Sequence, residues 1–291
     1  MNRVPVHEPL CQTQAHPRPA NRMNSVVLGV LAAAGYIAGT VAQTRNAAIA
    51  RVGTTTRIRV SRSVALLGGL AVVLHALCLL GLIVTPAGYY LGVFAVGSLV
   101  ALVAVAMVLL STLSLPVGNL LIVLFPIAIL GIASSLLVQG DYPPGPLPAP
   151  GHIVLSLLAY SVLFIAACQA LALAFQERRL RSTRSLRALQ LMPPLQVMEN
   201  LLFQMLWVGL ALLSLSIVTG LLFLENMFAQ RVVQHAVLSM SSWVVFAILL
   251  WGRHTLGWRG RTAIRWTLVG FVILAIAYFG SKFVIEFLLT P

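Results

Sequence analysis

Six histidines carry most of the coordination chemistry open to this sequence. His7 and His16 fall in a polar opening stretch, whereas His75, His152, His235 and His254 fall in or beside long apolar runs. A neutral imidazole can ligate haem iron or another transition metal through one nitrogen while a partner orients the other. The helix assignment developed below places His75 inside the second apolar helix, beyond its midpoint. It places His152 and His235 at the starts of the fifth and seventh helices, at one membrane surface, and His254 at the opposite surface. His152 and His235 can therefore converge on one cofactor. His75 lies about nine residues from its helix end, roughly 14 Å below that surface. An imidazole inside a membrane helix is costly and points to function by default. A single hydrogen bond to a neighbouring helix would account for His75 equally well. His152 is the first choice as a ligand, with His75 and His235 as candidates for a second. At His235 and His254 an interfacial position is a sufficient explanation by itself.

Other chemistry is sparse. Cys11, Cys78 and Cys168 form no CxxC or CxxCH pattern, and two of them sit in apolar runs, so they read as small buried hydrophobes. Glu199 and Glu225 sit at helix ends, and Lys282 and Glu286, four residues apart on the last helix, are placed to pair. No carboxylate falls near a midplane, where an ion-coupled transporter or proton relay would need one. No nucleophile–base or acid–base constellation emerges, so no catalytic residues are assigned. Asn119, Ser134, Ser135, Gln169, Gln204 and Ser216 read as interhelical hydrogen-bonders.

The elements that must position the histidines follow from composition. The chain has 291 residues, 59% hydrophobic and only 9% charged, whereas a soluble domain carries roughly 25% charged residues. Its solvent must be largely lipid. Apolar runs long enough for a hydrocarbon core about 30 Å thick cover approximately 24–43, 64–84, 90–111, 117–138, 152–175, 201–224, 237–253 and 263–288. No charge interrupts the stretch between Arg62 and Asp141; Thr85-Pro86-Ala87-Gly88 and Ser114-Leu115-Pro116 divide it into three helices. The fold class is all-α, a polytopic bundle of about eight transmembrane helices. Residues 1–23 form a polar extension, either disordered or lying ahead of a start at Met23, and residues 24–291 form the transmembrane domain.

A formal net charge of +13 would suit a nucleic-acid binder, but the arginines cluster in short segments between apolar runs, where they set orientation. Arg45, Arg51, Arg57, Arg59 and Arg62 fill the first loop; Arg178, Arg179, Arg181, Arg184 and Arg187 the fifth; Arg253, Arg259, Arg261 and Arg265 the seventh. The odd-numbered loops are accordingly expected in the cytoplasm and both termini on the outer side. Trp251, Trp258 and Trp266 flank the seventh loop as an interfacial belt, and Gly35-x-x-x-Gly39 permits close helix approach. No internal repeat is evident.

Several runs together resemble one family. They are His152-Ile-Val-Leu-Ser-Leu-Leu-Ala-Tyr160, Met192-Pro-Pro-Leu195, Thr219-Gly-Leu-Leu-Phe223, Ala236-Val-Leu-Ser239 with Trp243, Trp251-Gly-Arg253, Gly257-Trp-Arg-Gly-Arg261 and Ala277-Tyr-Phe-Gly-Ser-Lys-Phe283, with His75-Ala-Leu77 and Val96-Gly-Ser-Leu99 earlier. In combination they resemble the cytochrome c assembly family (CcsA/HemX-like membrane proteins), in its YpjD branch. That resemblance implies a bacterial inner-membrane protein that binds or handles haem during c-type cytochrome assembly, alongside cytochrome c maturation proteins. It also implies that His152 is a haem ligand. The departures concern the loop before the seventh helix. Haem-presenting members carry a tryptophan-rich motif there, whereas Glu225-Asn-Met-Phe-Ala-Gln-Arg-Val-Val-Gln-His235 contains no tryptophan and no aspartate. The expected role is therefore haem binding or handling rather than ligation of haem to a cytochrome. The alternative is a non-catalytic membrane scaffold that binds partners through Arg178, Arg179 and Arg181.

Overall fold

Lipid offers no hydrogen bonds to bare backbone, so a chain entering the bilayer must close its amide–carbonyl pairs internally, and helices do so within each segment. The computed structural model describes residues 22–52, 60–86, 88–138, 149–182, 195–223 and 230–283. Within them the protein is an all-α polytopic membrane protein with eight long helices: α1 (Arg22–Val52), α2 (Arg62–Ile83), α3 (Val93–Ser111), α4 (Leu121–Leu137), α5 (Pro150–Ser182), α6 (Leu195–Phe223), α7 (Gln230–Thr255) and α8 (Arg261–Ala275). Each contains a stretch long and apolar enough to cross a membrane, α4 together with the 3-10 turn Gly118–Leu120 before it and α8 together with the π-turn after it. α8 continues through a π-turn, Ile276–Gly280, into Ser281–Phe283. Much of the N-terminal extension, the Pro/Gly-rich stretch 139–148, the segment from 183 to 194, Glu225 and Glu286 lie outside the described residues.

The helices alternate in direction and pack as two groups of four. Tyr36, Leu121, Leu124 and Phe125 lie in the core of α1–α4, and Leu163, Leu202, Leu206, Phe246 and Leu249 in that of α5–α8. α3 and α5 join the groups, with the Ser161 hydroxyl donating to the Val100 carbonyl at 3.3 Å. The perimeter is apolar, with Leu66, Leu130, Trp207 and Leu222 well exposed, as a lipid solvent allows. The two glycines of the first helix permit close approach to different neighbours. A Cβ on Gly35 would stand 3.0 Å from that of Ala71, and one on Gly39 would stand 2.8 Å from the Phe125 ring.

The two ends of the bundle differ. Between α2 and α3 the Thr85–Gly88 turn closes a minimal hairpin in which Val84–Thr85 pairs antiparallel with Gly88–Tyr89. Gly88 adopts φ 128°, a conformation that residues with a Cβ rarely reach. At the opposite end Arg253 meets Glu199 at 3.0 Å and Arg261 meets Glu177 at 3.1 Å. Arg253 also lies 4.5 Å over the Phe203 ring, and Trp258 stacks on Trp266 at 5.4 Å. We call these the hairpin end and the arginine end.

Two expectations need correction. α1, α5 and α6 extend well past their apolar runs, because a helix already nucleated propagates cheaply into polar residues that favour it. Of the six polar residues read as interhelical hydrogen-bonders, Gln169 fits, donating from α5 to the Met198 carbonyl of α6 at 3.1 Å. Ser134 and Ser135 bond backward to Gly131 and Ile132 of their own helix. Gln204 is exposed, and the buried Oδ1 of Asn119 has no hydrogen-bond partner among the described residues. Ser216 does link helices, through its carbonyl.

Candidate haem-ligating site

The three candidate histidines occupy two kinds of environment. His75 is fully buried in α2, and both its nitrogens are engaged: Nε2 pairs with the Ser98 hydroxyl of α3 at 2.9 Å and Nδ1 with the Tyr36 hydroxyl of α1 at 3.3 Å. The Tyr36 ring meets the imidazole edge-on at 5.9 Å and rests on Phe125 at 5.3 Å. Ser98 is held close to α4, where a Cβ on Gly131 would stand 3.1 Å from its Cα. His75 thus ties α1, α2 and α3 together beside α4, and binding a metal would require breaking one of these bonds.

His152 lies in the first turn of α5, at the hairpin end. Its Nδ1 is 2.9 Å from the Ser216 carbonyl of α6 and 3.4 Å from the Thr219 hydroxyl. A carbonyl can only accept, so Nδ1 carries the hydrogen, and the neutral ring keeps its lone pair on Nε2. Nε2 has no hydrogen-bond partner among the described residues. Gly220 makes the approach possible, since a Cβ there would stand 3.0 Å from the imidazole Cε1.

His235, six residues into α7, repeats the arrangement on another seam. Its Nδ1 donates to the Ala277 carbonyl of α8 at 2.9 Å, which again leaves the lone pair on Nε2. Ala277 belongs to the π-turn, a local widening frequent at functional sites. The ring meets Tyr278 edge-on at 6.1 Å, and Tyr278 in turn meets Tyr160 of α5 at 5.9 Å. Among the described residues no hydrogen bond or ring contact joins His152 to His235; each is anchored to its own neighbouring helix.

A group held by one or two imidazoles requires a neutral ring with one nitrogen oriented and the other open. His152 and His235 present that donor pattern, and His75 does not. No cluster of three or more histidine, cysteine or acidic side chains able to hold a metal ion occurs among the described residues. His254 is exposed at the arginine end, near the close of α7. Lys282 donates to the Leu91 carbonyl and stands 5.8 Å over the Tyr278 ring.

The sequence alone gives Tyr36 no role; Ser98, Tyr160 and Ser239 enter it only as members of runs that resemble the family, and their hydrogen-bonding positions are not legible there.

Residues 63–289 match the family described as cytochrome c assembly protein. The inner membrane protein YpjD of Escherichia coli K12 is 37% identical over 221 residues, covering 74% of this chain and 83% of that protein. Its counterpart in Escherichia coli O157:H7 matches to the same extent. An Azospirillum brasilense protein, named as an uncharacterized 28.8 kDa protein in the nifR3-like 5'region, is 35% identical over 148 residues, 48% of this chain and 55% of that protein. No solved structure matches.

Proposed function

The chain belongs to the cytochrome c assembly protein family, and from that premise we propose that it binds haem at the hairpin end, where His152 would hold the iron, with His235 as the leading candidate for a second ligand. The observation that carries the proposal is the tautomer fixed at both residues. Each Nδ1–H is held 2.9 Å from a backbone carbonyl of the next helix, which orients the ring and leaves Nε2 to a metal. Bound haem would supply the iron centre, and the porphyrin would be cargo or resident group in c-type cytochrome assembly. His152, His235 and the carbonyls of Ser216 and Ala277 hold and orient. His75, with both nitrogens engaged, keeps α1, α2 and α3 in register.

The proposed location is the bacterial inner membrane, with the arginine end in the cytoplasm, His152 and His235 at the periplasmic surface and both termini on that side. The arginine distribution supports this orientation. Haem and cytochrome c maturation proteins are the proposed partners. The segment before His235 lacks the aromatic platform associated with haem ligation, so the role is binding or handling, without ligase chemistry.

The test is a reduced-minus-oxidised absorption spectrum of protein purified in mild detergent, before and after haem supplementation. A Soret feature is expected in the wild type and is expected to weaken strongly in His152→Ala. A wild type with no Soret feature after supplementation would overturn the proposal. An unaltered spectrum in His152→Ala would move the ligand elsewhere.

A further inference from the structure

The segment of α8 that anchors His235 is tapped by side chains from two other helices. The Ser242 hydroxyl of α7 donates to the Gly270 carbonyl at 2.8 Å, the Tyr160 hydroxyl of α5 donates to the Leu274 carbonyl at 3.1 Å, and His235 donates to the Ala277 carbonyl at 2.9 Å. Gly270, Leu274 and Ala277 follow one another at helical spacing and so share a face of α8. On α7, His235, Ser239 and Ser242 form the matching stripe. Tyr160 links α5 to this seam through its bond to the Leu274 carbonyl, and Ser239 lies on the facing stripe of α7 between His235 and Ser242. Tyr160, Ser239 and Ser242 are all buried.

This seam has a directional consequence. The Ile276–Gly280 π-turn begins two residues beyond Leu274, so the Tyr160 bond lies immediately before the change of helical register that presents the Ala277 carbonyl. Ser239 lies one turn below His235 on α7. Tyr160 therefore fixes the helix whose carbonyl determines where His235 points. It does so from α5, the helix that carries His152 roughly 12 Å further along.

We propose that Tyr160 is a positioning residue for His235: its hydroxyl, bonded to the Leu274 carbonyl, pins the π-turn and sets the placement of His235 relative to His152. The claim rests on the reading of His152 and His235 as haem ligands for its functional meaning, but its geometry can be tested without haem.

Tyr160→Phe keeps the ring and removes the hydroxyl. In haem-free protein in detergent, acylation of each histidine by diethyl pyrocarbonate is followed by peptide mass spectrometry. The His235 rate is expected to rise about fivefold, the scale of one lost hydrogen bond, with the His152 rate unchanged. Ser239→Ala, which removes a hydroxyl from the facing stripe and leaves the Leu274 bond intact, is expected to act in the same direction by less, and it carries the test if Tyr160→Phe does not fold. An unchanged His235 rate, or a parallel rise at both histidines, would overturn the proposal. In haem-loaded protein the same variant is expected to shift the electron paramagnetic resonance signature while retaining haem, and an identical signature counts against it. If the wild type takes up no haem, the ligand reading fails, and the acylation rates still decide the positioning claim.

Discussion

Replacing Gly220 by alanine isolates the orientation of His152 from the stability of the bundle. A methyl group there would stand 3.0 Å from Cε1, 3.3 Å from Nδ1 and 3.8 Å from Nε2 of His152. Carbon atoms pack comfortably at roughly 3.5–4.0 Å, so the ring must retreat by roughly half an ångström. The 2.9 Å bond from Nδ1 to the Ser216 carbonyl then lengthens, toward the roughly 3.2 Å limit of ordinary N–H···O bonds. That bond contributes about 0.5–1.5 kcal/mol net, and the higher helix propensity of alanine returns about 1 kcal/mol. The thermal midpoint is therefore expected to stay near the wild-type value. Haem affinity is expected to fall roughly 10–100-fold, the usual cost of losing the group that orients a ligating histidine. The assay is a haem titration followed by absorbance, with a melting curve on the same sample. Gly209→Ala is the comparison: its methyl would meet Leu163 Cδ2 at 2.5 Å on the same α5–α6 seam, so it should lower stability without turning His152. A wild-type titration for Gly220→Ala, or an equal loss of affinity in Gly209→Ala, would refute the reasoning.

Three further outcomes are expected. His75→Leu leaves the Tyr36 and Ser98 hydroxyls without their imidazole partner, so it should lower the thermal midpoint by the equivalent of about 1–3 kcal/mol while leaving the haem spectrum unchanged. Arg253→Ala should destabilise more than Arg261→Ala in melting curves. Arg253 is the less exposed of the two and also donates to the Trp258 carbonyl, and exposed ion pairs contribute only about 0–1 kcal/mol. A paired alkaline phosphatase and fluorescent-protein reporter inserted after Gly145 should show phosphatase activity and no fluorescence, and the reverse pattern would place His152 on the cytoplasmic side.

The eight-helix architecture is legible because lipid imposes one simple rule, apolar length, on each segment. The uncharged stretch from Ser63 to Gly140 splits at Thr85–Gly88 and Ser114–Pro116, and α2, α3 and α4 lie between those breaks. The interhelical hydrogen bonds were far less legible. A serine in an apolar run can bond backward to its own helix, as Ser134 does, or across to another, as Ser242 does, and the sequence holds the same letter in both cases. Donation by His152 to Ser216 joins residues 64 apart in the chain. It depends on Gly220 being small enough to admit the ring, a requirement that spacing along one helix does not display. The π-turn in α8 is equally silent in composition, since Ile276-Ala-Tyr-Phe-Gly280 would continue a regular helix without strain.

The physical distinction among the histidines is the number and kind of partners at the ring, more than depth in the bilayer. An imidazole in hydrocarbon must satisfy its N–H, because no water is there to do so. His75 meets two hydroxyls, each able to donate or accept, so both nitrogens close within the bundle in either tautomer. His152 and His235 each meet a backbone carbonyl, which only accepts. The N–H is satisfied, but the tautomer is fixed and the second nitrogen keeps an unused lone pair. A carbonyl anchor therefore makes a histidine stable in the protein and basic toward a metal at once, whereas a pair of hydroxyl anchors makes it a structural link. The same contrast predicts that placing a second donor beside Nε2 of His152 would close that nitrogen, with haem uptake lost in a titration and the melting temperature raised.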